Sequence, residues 1–156
     1  MSTAAPGLAS EPESFATALV RVVLVDARPE RLHVMRMLLD ASGLVTVVGE
    51  ADSRDGAIEE VGRAGADLAI IEIQMPVDEG LATIAALRQR FPEVRIVVCS
   101  FDQNAATRRL AAENGSDAYL SKPIDLGRFG DLLRVFATST REPAGDKMMT
   151  GAQRVP

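Results

Sequence analysis

Four side chains of different chemistry stand where apolar runs of the sequence stop. Asp26 follows Arg21-Val-Val-Leu-Val25, Glu72 follows Asp67-Leu-Ala-Ile-Ile71, Ser100 closes the run that begins at Val94, and Lys122 lies in Ser121-Lys-Pro123. Two acids, a hydroxyl and an amine are the makings of a charged pocket, in which a carboxylate can meet a cation or the lysine can pair with an acid. Tyr119, three residues ahead of Lys122, adds a ring with a polar tip. Asp26 also has the character of a turn-starting acid that caps nearby amides. Other reactive types carry less. His33 falls within a helical pattern and reads as a solvated or half-buried side chain. Cys99 lies inside an apolar run, where a buried thiol behaves as a small hydrophobe. Arg108 and Arg109 read as a solvated helix face that could also meet an acidic partner.

The elements that would bring these residues together follow from periodicity. Arg21 to Val25 is short and β-branched, and the turn-like Asp26-Ala-Arg-Pro29 ends it, which predicts a buried strand. Pro29 can open a helix at its first position, Leu32, Met35, Leu38 and Leu39 recur at helical spacing, and Gly43 supplies the stop. The pattern repeats. Leu44 to Gly49 reads as a strand, and Ser53 as the cap of a helix with Ala57, Ile58 and Val61 on one face. Asp67 to Ile71 precedes a helix marked by Leu81, Ile84, Ala85 and Leu87. Val94 to Val98 precedes Ala106 to Ala111, and Asp117 to Leu120 precedes Leu126 to Phe136. Strands separated by helices of this length pair in parallel through right-handed crossovers, and near-continuous apolar strands imply helices on both faces. The expected fold is therefore α/β: one doubly wound (βα)5 domain, flavodoxin-like in shape, with a five-stranded parallel sheet. In such folds ligands gather at the carboxyl ends of the strands, where Asp26, Glu72, Ser100 and Lys122 would meet.

Composition bounds the rest. The chain of 156 residues is 47% apolar, enough for one ordinary core. That core is expected over 20–137. Residues 1–19, small and polar, and 138–156, broken by Pro143, Gly145 and Gly151, read as mobile tails. A net charge of -5 argues against a basic footprint for nucleic acid or an anionic membrane surface and favours a protein partner. A single cysteine excludes an internal disulfide and suits a reducing cytoplasm. Neither a leader nor a run of about 18 apolar residues is legible. A glycine-rich phosphate loop is also missing after the first strand, which counts against a nucleotide-binding flavodoxin-like domain.

Asp67-Leu-Ala-Ile-Ile-Glu-Ile-Gln-Met-Pro76, with Glu79-Gly80, closely parallels the central signature of response-regulator receiver domains. Asp26, Ser100, Tyr119 and Ser121-Lys-Pro123 fall at that family's spacing, and from about Val20 to Ala137 the chain resembles a CheY-like receiver of two-component signalling. The resemblance implies that Glu72 occupies the position of a phosphate-accepting aspartate. It makes Ser100 and Tyr119 the pair that relays phosphorylation, gives Lys122 the phosphate contact, and implies a Lys122–Pro123 bond that is commonly cis. Two residues depart from the pattern. One is Glu72 itself; the other is Ala27, where the family carries a second acid that contacts magnesium. Magnesium is held by few carboxylates in near-octahedral geometry, so Ala27 removes much, leaving Asp26, Glu72 and a carbonyl at Gln74 as weak ligands. Magnesium binding is expected to be weak or absent, and no other cofactor is expected. Phosphoryl transfer, which depends on positioning and charge stabilisation, should be slow or absent. The extra methylene of Glu72 compounds this, because displacements near ~1 Å can cost about a hundredfold in rate.

These expectations describe an atypical receiver without catalysis of its own, acting as a phosphorylation-independent regulatory module on a protein partner. The stretch after Phe136 is too short for an output domain. The partner would meet the face of the fourth helix, fifth strand and fifth helix, and Glu72 paired with Lys122 would hold Ser100 and Tyr119 as in the phosphorylated state. A carboxylate carries less charge and fewer acceptors than a phosphoryl group, so the mimicry is partial. The alternatives are an inert scaffold, a phosphoacceptor with residual magnesium-dependent transfer through Asp26 or Glu72, and a small-ligand binder. Partner identity and oligomeric state stay open at this level.

Overall fold

The computed structural model describes residues 19–73 and 77–139 and alternates five strands with five helices. In chain order these are β1 (Val20–Val25), α1 (Pro29–Ser42), β2 (Val45–Ala51), α2 (Arg54–Ala64), β3 (Leu68–Ile71), α3 (Val77–Arg90), β4 (Arg95–Ser100), α4 (Ala105–Asn114), β5 (Ala118–Ser121) and α5 (Leu126–Thr138). All strand pairings are parallel, in the order β2-β1-β3-β4-β5. The order reverses between β1 and β3, which makes their carboxyl ends the switch point of the sheet.

Alternation along the strands divides the core into two layers. Val23 and Val25 of β1 pack with Ala57, Val61, Ile84 and Leu87 on one face, while Val22 and Leu24 pack with Leu32, Leu39 and Phe129 on the other. β3 is buried along its whole length, as a strand covered on both faces must be. Pro29 opens α1 and Gly43, at φ 70, ends it in the left-handed conformation that glycine tolerates best. Ser53 caps α2 by accepting from the Gly56 amide. Asp125, which periodicity alone does not mark, caps α5 by accepting from the Gly127 and Arg128 amides.

Several boundaries move by one or two residues, each for a visible reason. β2 does not stop at Gly49 but runs to Ala51, because the register shifts after Val22 and pairs Val23 with Gly49, leaving Val48 as the extra residue of a bulge. The Asp26 amide then donates to the Ala51 carbonyl at 3.1 Å and closes that edge. Asp67 precedes β3 rather than opening it, and its side chain accepts from the Arg21 amide. Asp117 likewise precedes β5. α5 reaches one residue past the expected domain edge; apart from Leu19, Thr138 and Ser139, the two expected tails lie outside the described residues. Among the described residues, no helix is long and apolar enough to cross a membrane.

Candidate functional site

The carboxyl ends of β1, β3 and β5 converge as expected. The Glu72 amide donates to the Val25 carbonyl at 2.9 Å, so the residues just past β1 and β3 are held side by side. Asp26 is 5% exposed and Glu72 3%, burials that carboxylates tolerate only with compensation. Lys122, on the loop after β5, supplies it. Its Nζ lies 2.8 Å from Glu72 Oε2 and 3.9 Å from Asp26 Oδ2. The Lys122–Pro123 bond is cis. Asp26 Oδ1 accepts from the Arg28 amide at 3.0 Å, the turn-capping contact expected of it.

A fourth charge joins this group. Arg31, in the first turn of α1, brings Nη1 to 3.9 Å from Glu72 Oε2. Sequence reading passed over it, although a signal was present. Pro29 starts the helix directly after Asp26, so the first turn of α1 must lie over the same rim. Two acids therefore face two cations, and all four also line, with apolar neighbours such as Leu32, Met35 and Ile70, a space of about 10 Å³, close to the room one water needs. Burial pushes the Asp26 carboxyl above its ordinary value; the Arg28 amide and Lys122 pull it down, and Glu72 pushes it further up.

Ser100 and Tyr119 connect to the rim through backbone. The Lys122 amide donates to the Ser100 carbonyl at 2.9 Å, and the fully buried Ser100 hydroxyl accepts from the Asp102 amide at 3.1 Å. Tyr119 donates its hydroxyl to the Asp102 carbonyl at 2.6 Å. Burial raises the Tyr119 hydroxyl, partly offset by its contact with Ser100. Outside it, the Arg108 guanidinium stacks 4.7 Å from the Tyr119 ring centroid and donates to Ser121 Oγ at 3.0 Å. Arg108 is therefore more than the solvated helix residue its spacing implies. Phe101, also missed, is exposed and lies 5.7 Å from Lys122 Nζ.

The remaining candidates fall as follows. Gln74 lies outside the described residues. Ala27 is exposed and carries no donor. Cys99 is buried, with its thiol pushed up to about 11 by burial, and His33 is exposed on α1. The arrangement can hold charge, exchange partners among four ionic groups, and pass a displacement of Lys122 to Ser100, Asp102 and Tyr119.

Residues 22–134 match the response regulator receiver domain family. The nitrate/nitrite response regulator NarL of Escherichia coli K12 is 31% identical over 104 residues, covering 67% of this chain and 48% of NarL, so the chain spans about half that relative's length. Two-component response regulator ORR41 of Oryza sativa subsp. japonica is 32% identical over 123 residues, covering 78% of this chain and 97% of ORR41. Among solved structures, the signal receiver domain of the putative response regulator NarL from Mycobacterium tuberculosis superposes with a TM-score of 0.68 at 28% identity. It covers 79% of this chain and 99% of that one.

Proposed function

Since the chain belongs to the response regulator receiver domain family of two-component signalling, we propose that it is an atypical member whose signalling state is set by a built-in ion pair. In this reading Glu72 stands at the phosphoacceptor position, and its contact with Lys122 replaces the phosphate contact. The observation that carries it is the 2.8 Å approach of Lys122 Nζ to Glu72 Oε2, with side chains 11% and 3% exposed. A lysine so placed is engaged before any phosphoryl group arrives. Its amide is tied to Ser100, and Ser100 to Asp102 and Tyr119, so the pair biases the face formed by α4, β5 and α5, where a protein partner binds. The proposed activity is regulatory and non-enzymatic.

The rim does not suit the magnesium ion that the family implies. Magnesium keeps several waters and needs oxygen donors in octahedral array. Here the Ala27 side chain offers none, and the two carboxylates are already faced by Arg31 and Lys122. No step of the proposed function runs through a metal. The test is intact-mass measurement after incubation with magnesium and acetyl phosphate. The expected result is an unchanged mass; a stoichiometric phosphoryl gain that Glu72→Gln abolishes would overturn the reading.

A further inference from the structure

β5 is the edge strand of the sheet. Among the described residues it pairs with β4 alone, and its four residues are half-buried. Beside it lies a pocket of about 180 Å³ lined by Arg108, Tyr119, Leu120, Ser121, Pro123, Asp125 and Arg128. Two arginines thus line one recess of mixed polar and apolar character in a protein whose net charge is -5. Neither has an acid within ion-pair distance among the described residues. Arg108 spends one of its five N–H donors on Ser121 Oγ and lays its face on Tyr119, which leaves most of its fork available. Asp125 is the one acid in the lining, and its Oδ1 is turned to the Gly127 and Arg128 amides as the cap of α5.

We infer that this recess receives a carboxylate from an acidic, extended segment of the protein partner, held between Arg108 and Arg128 along the edge of β5. The inference rests on the proposed role of the α4, β5 and α5 face and specifies what binds there. A planar guanidinium fork matches a carboxylate bidentately, and a short, half-exposed edge strand offers backbone groups to an extended chain. Two arginines make a site for one or two anionic groups rather than the basic track that a nucleic-acid backbone needs. Because Arg108 stacks on Tyr119, a carboxylate gripping Arg108 also reads where Tyr119 sits. That places the recess on the route from Glu72 and Lys122 to the outside.

The test is an amide-shift titration of the full chain with a hexaglutamate peptide, using hexalysine and a thymidine hexanucleotide as comparators. Hexaglutamate is expected to move Arg108, Tyr119, Ser121 and Arg128, and high salt to suppress the effect. Arg108→Gln and Arg128→Gln should each weaken binding about two- to fivefold, as exposed ion pairs do. No shift at these residues, indifference to both substitutions, or tighter binding of the oligonucleotide overturns the inference. Glu72→Gln is titrated in parallel. Arginine-dependent binding that survives it supports the acidic-segment site and counts against Glu72 control, so the two readings fail separately.

Discussion

Two ion pairs of equal length lie at opposite ends of the sheet. At the carboxyl ends, Lys122 Nζ meets Glu72 Oε2 at 2.8 Å; at the amino ends, Arg88 Nη2 meets Asp117 Oδ2 at the same distance. All four side chains are largely buried, and the difference is their company. Arg88 also donates to the Gly115 carbonyl from Nε and Nη2, at 3.0 and 2.8 Å, and to the Val94 carbonyl at 2.7 Å. Asp117 Oδ2 accepts in addition from the Ile96 amide, and a second cation, Arg95, brings Nη1 to 3.8 Å from Asp117 Oδ1. One rigid fork therefore ties the end of α3 to the turns that start β4 and β5. Lys122 is instead a point charge on a flexible stem, facing two acids and accompanied by a second cation, Arg31. A pair enclosed by backbone carbonyls has one arrangement. Four charges share the rim, and Lys122 lies within 4 Å of both acids. In one fold, the amino-end pair is tied to backbone carbonyls of two turns, while the carboxyl-end pair is faced by the charged side chains of Asp26 and Arg31.

The largest expected effect falls on the amino-end pair. Arg88→Ala leaves Asp117 with Arg95 at 3.8 Å and the Ile96 amide and strips the Val94 and Gly115 carbonyls of their donor, and breaking a buried pair of this kind costs about 3–5 kcal/mol. Urea unfolding measures it. A loss below about 1 kcal/mol, the scale of an exposed pair, would erase the contrast.

At the rim, Glu72→Gln and Lys122→Met are each expected to lose about 1–3 kcal/mol, less than Arg88→Ala because Arg88 also holds the Val94 and Gly115 carbonyls. Glu72→Gln keeps size and removes charge. Its amide-shift changes should extend through Ser100 and Tyr119 to the surface around Leu126, whereas those of a scaffold change stay beside residue 72. In a double-mutant cycle the two losses should be non-additive by about 0.5–3 kcal/mol. Additive losses would separate Glu72 from Lys122 and leave the rim without its switch.

Much of this was readable before any coordinates. The five apolar runs, Gly43 and Ser53 each encode a local event, so the stop and the cap were where the sequence placed them and the strands within one or two residues of it. Strand ends were readable because the doubly wound topology forces them onto one rim, which brought Asp26, Glu72, Ser100 and Lys122 together. What escaped depends on contacts between elements distant in sequence. The bulge at Val48 is a property of β1 and β2 jointly. Arg108 on Tyr119 and Arg88 on Asp117 are side chains crossing between elements, and nothing in helical spacing distinguishes such an arginine from a solvated one.

A smaller effect concerns Asp26. Its carboxyl is raised in the fold, chiefly by burial, so the protonated form is the one the fold favours. The associated stability is fully present below the ordinary aspartate value of 3.8 and is lost as pH rises through the raised value. Asp26→Asn retains an acceptor for the Arg28 amide and removes the charge. The variant should therefore melt higher than the parent at neutral pH, with the gain shrinking as the solution is acidified. A variant less stable at neutral pH would show that Asp26 is needed as an anion, and that Lys122 is shared more evenly than its distances of 2.8 and 3.9 Å imply.

The smallest expected effect is a null one, and it tests the rim most sharply. A ligand bound only by the folded state stabilises it by RT ln(1 + [L]/Kd), so a site held at ten times its dissociation constant gains about 1.4 kcal/mol. For a domain of this size that is a rise of roughly 5 °C in melting temperature. With the Ala27 side chain offering no oxygen and Arg31 and Lys122 already facing the acids, about 10 mM magnesium should leave the melting temperature where sodium chloride of matched ionic strength leaves it. Ala27→Asp with Glu72→Asp adds the missing oxygen and draws the acceptor back, and this double variant should respond to magnesium. Arg31→Ala on that background should respond more, because a cation opposing the metal has gone. The amino-end pair of Arg88 and Asp117 should be indifferent in every case, since it lies at the opposite end of the sheet and its one acid already faces two arginines. If the parent's melting temperature rises with magnesium as far as the double variant's, the rim is an ordinary metal site, and Arg31 has no part in neutralising it.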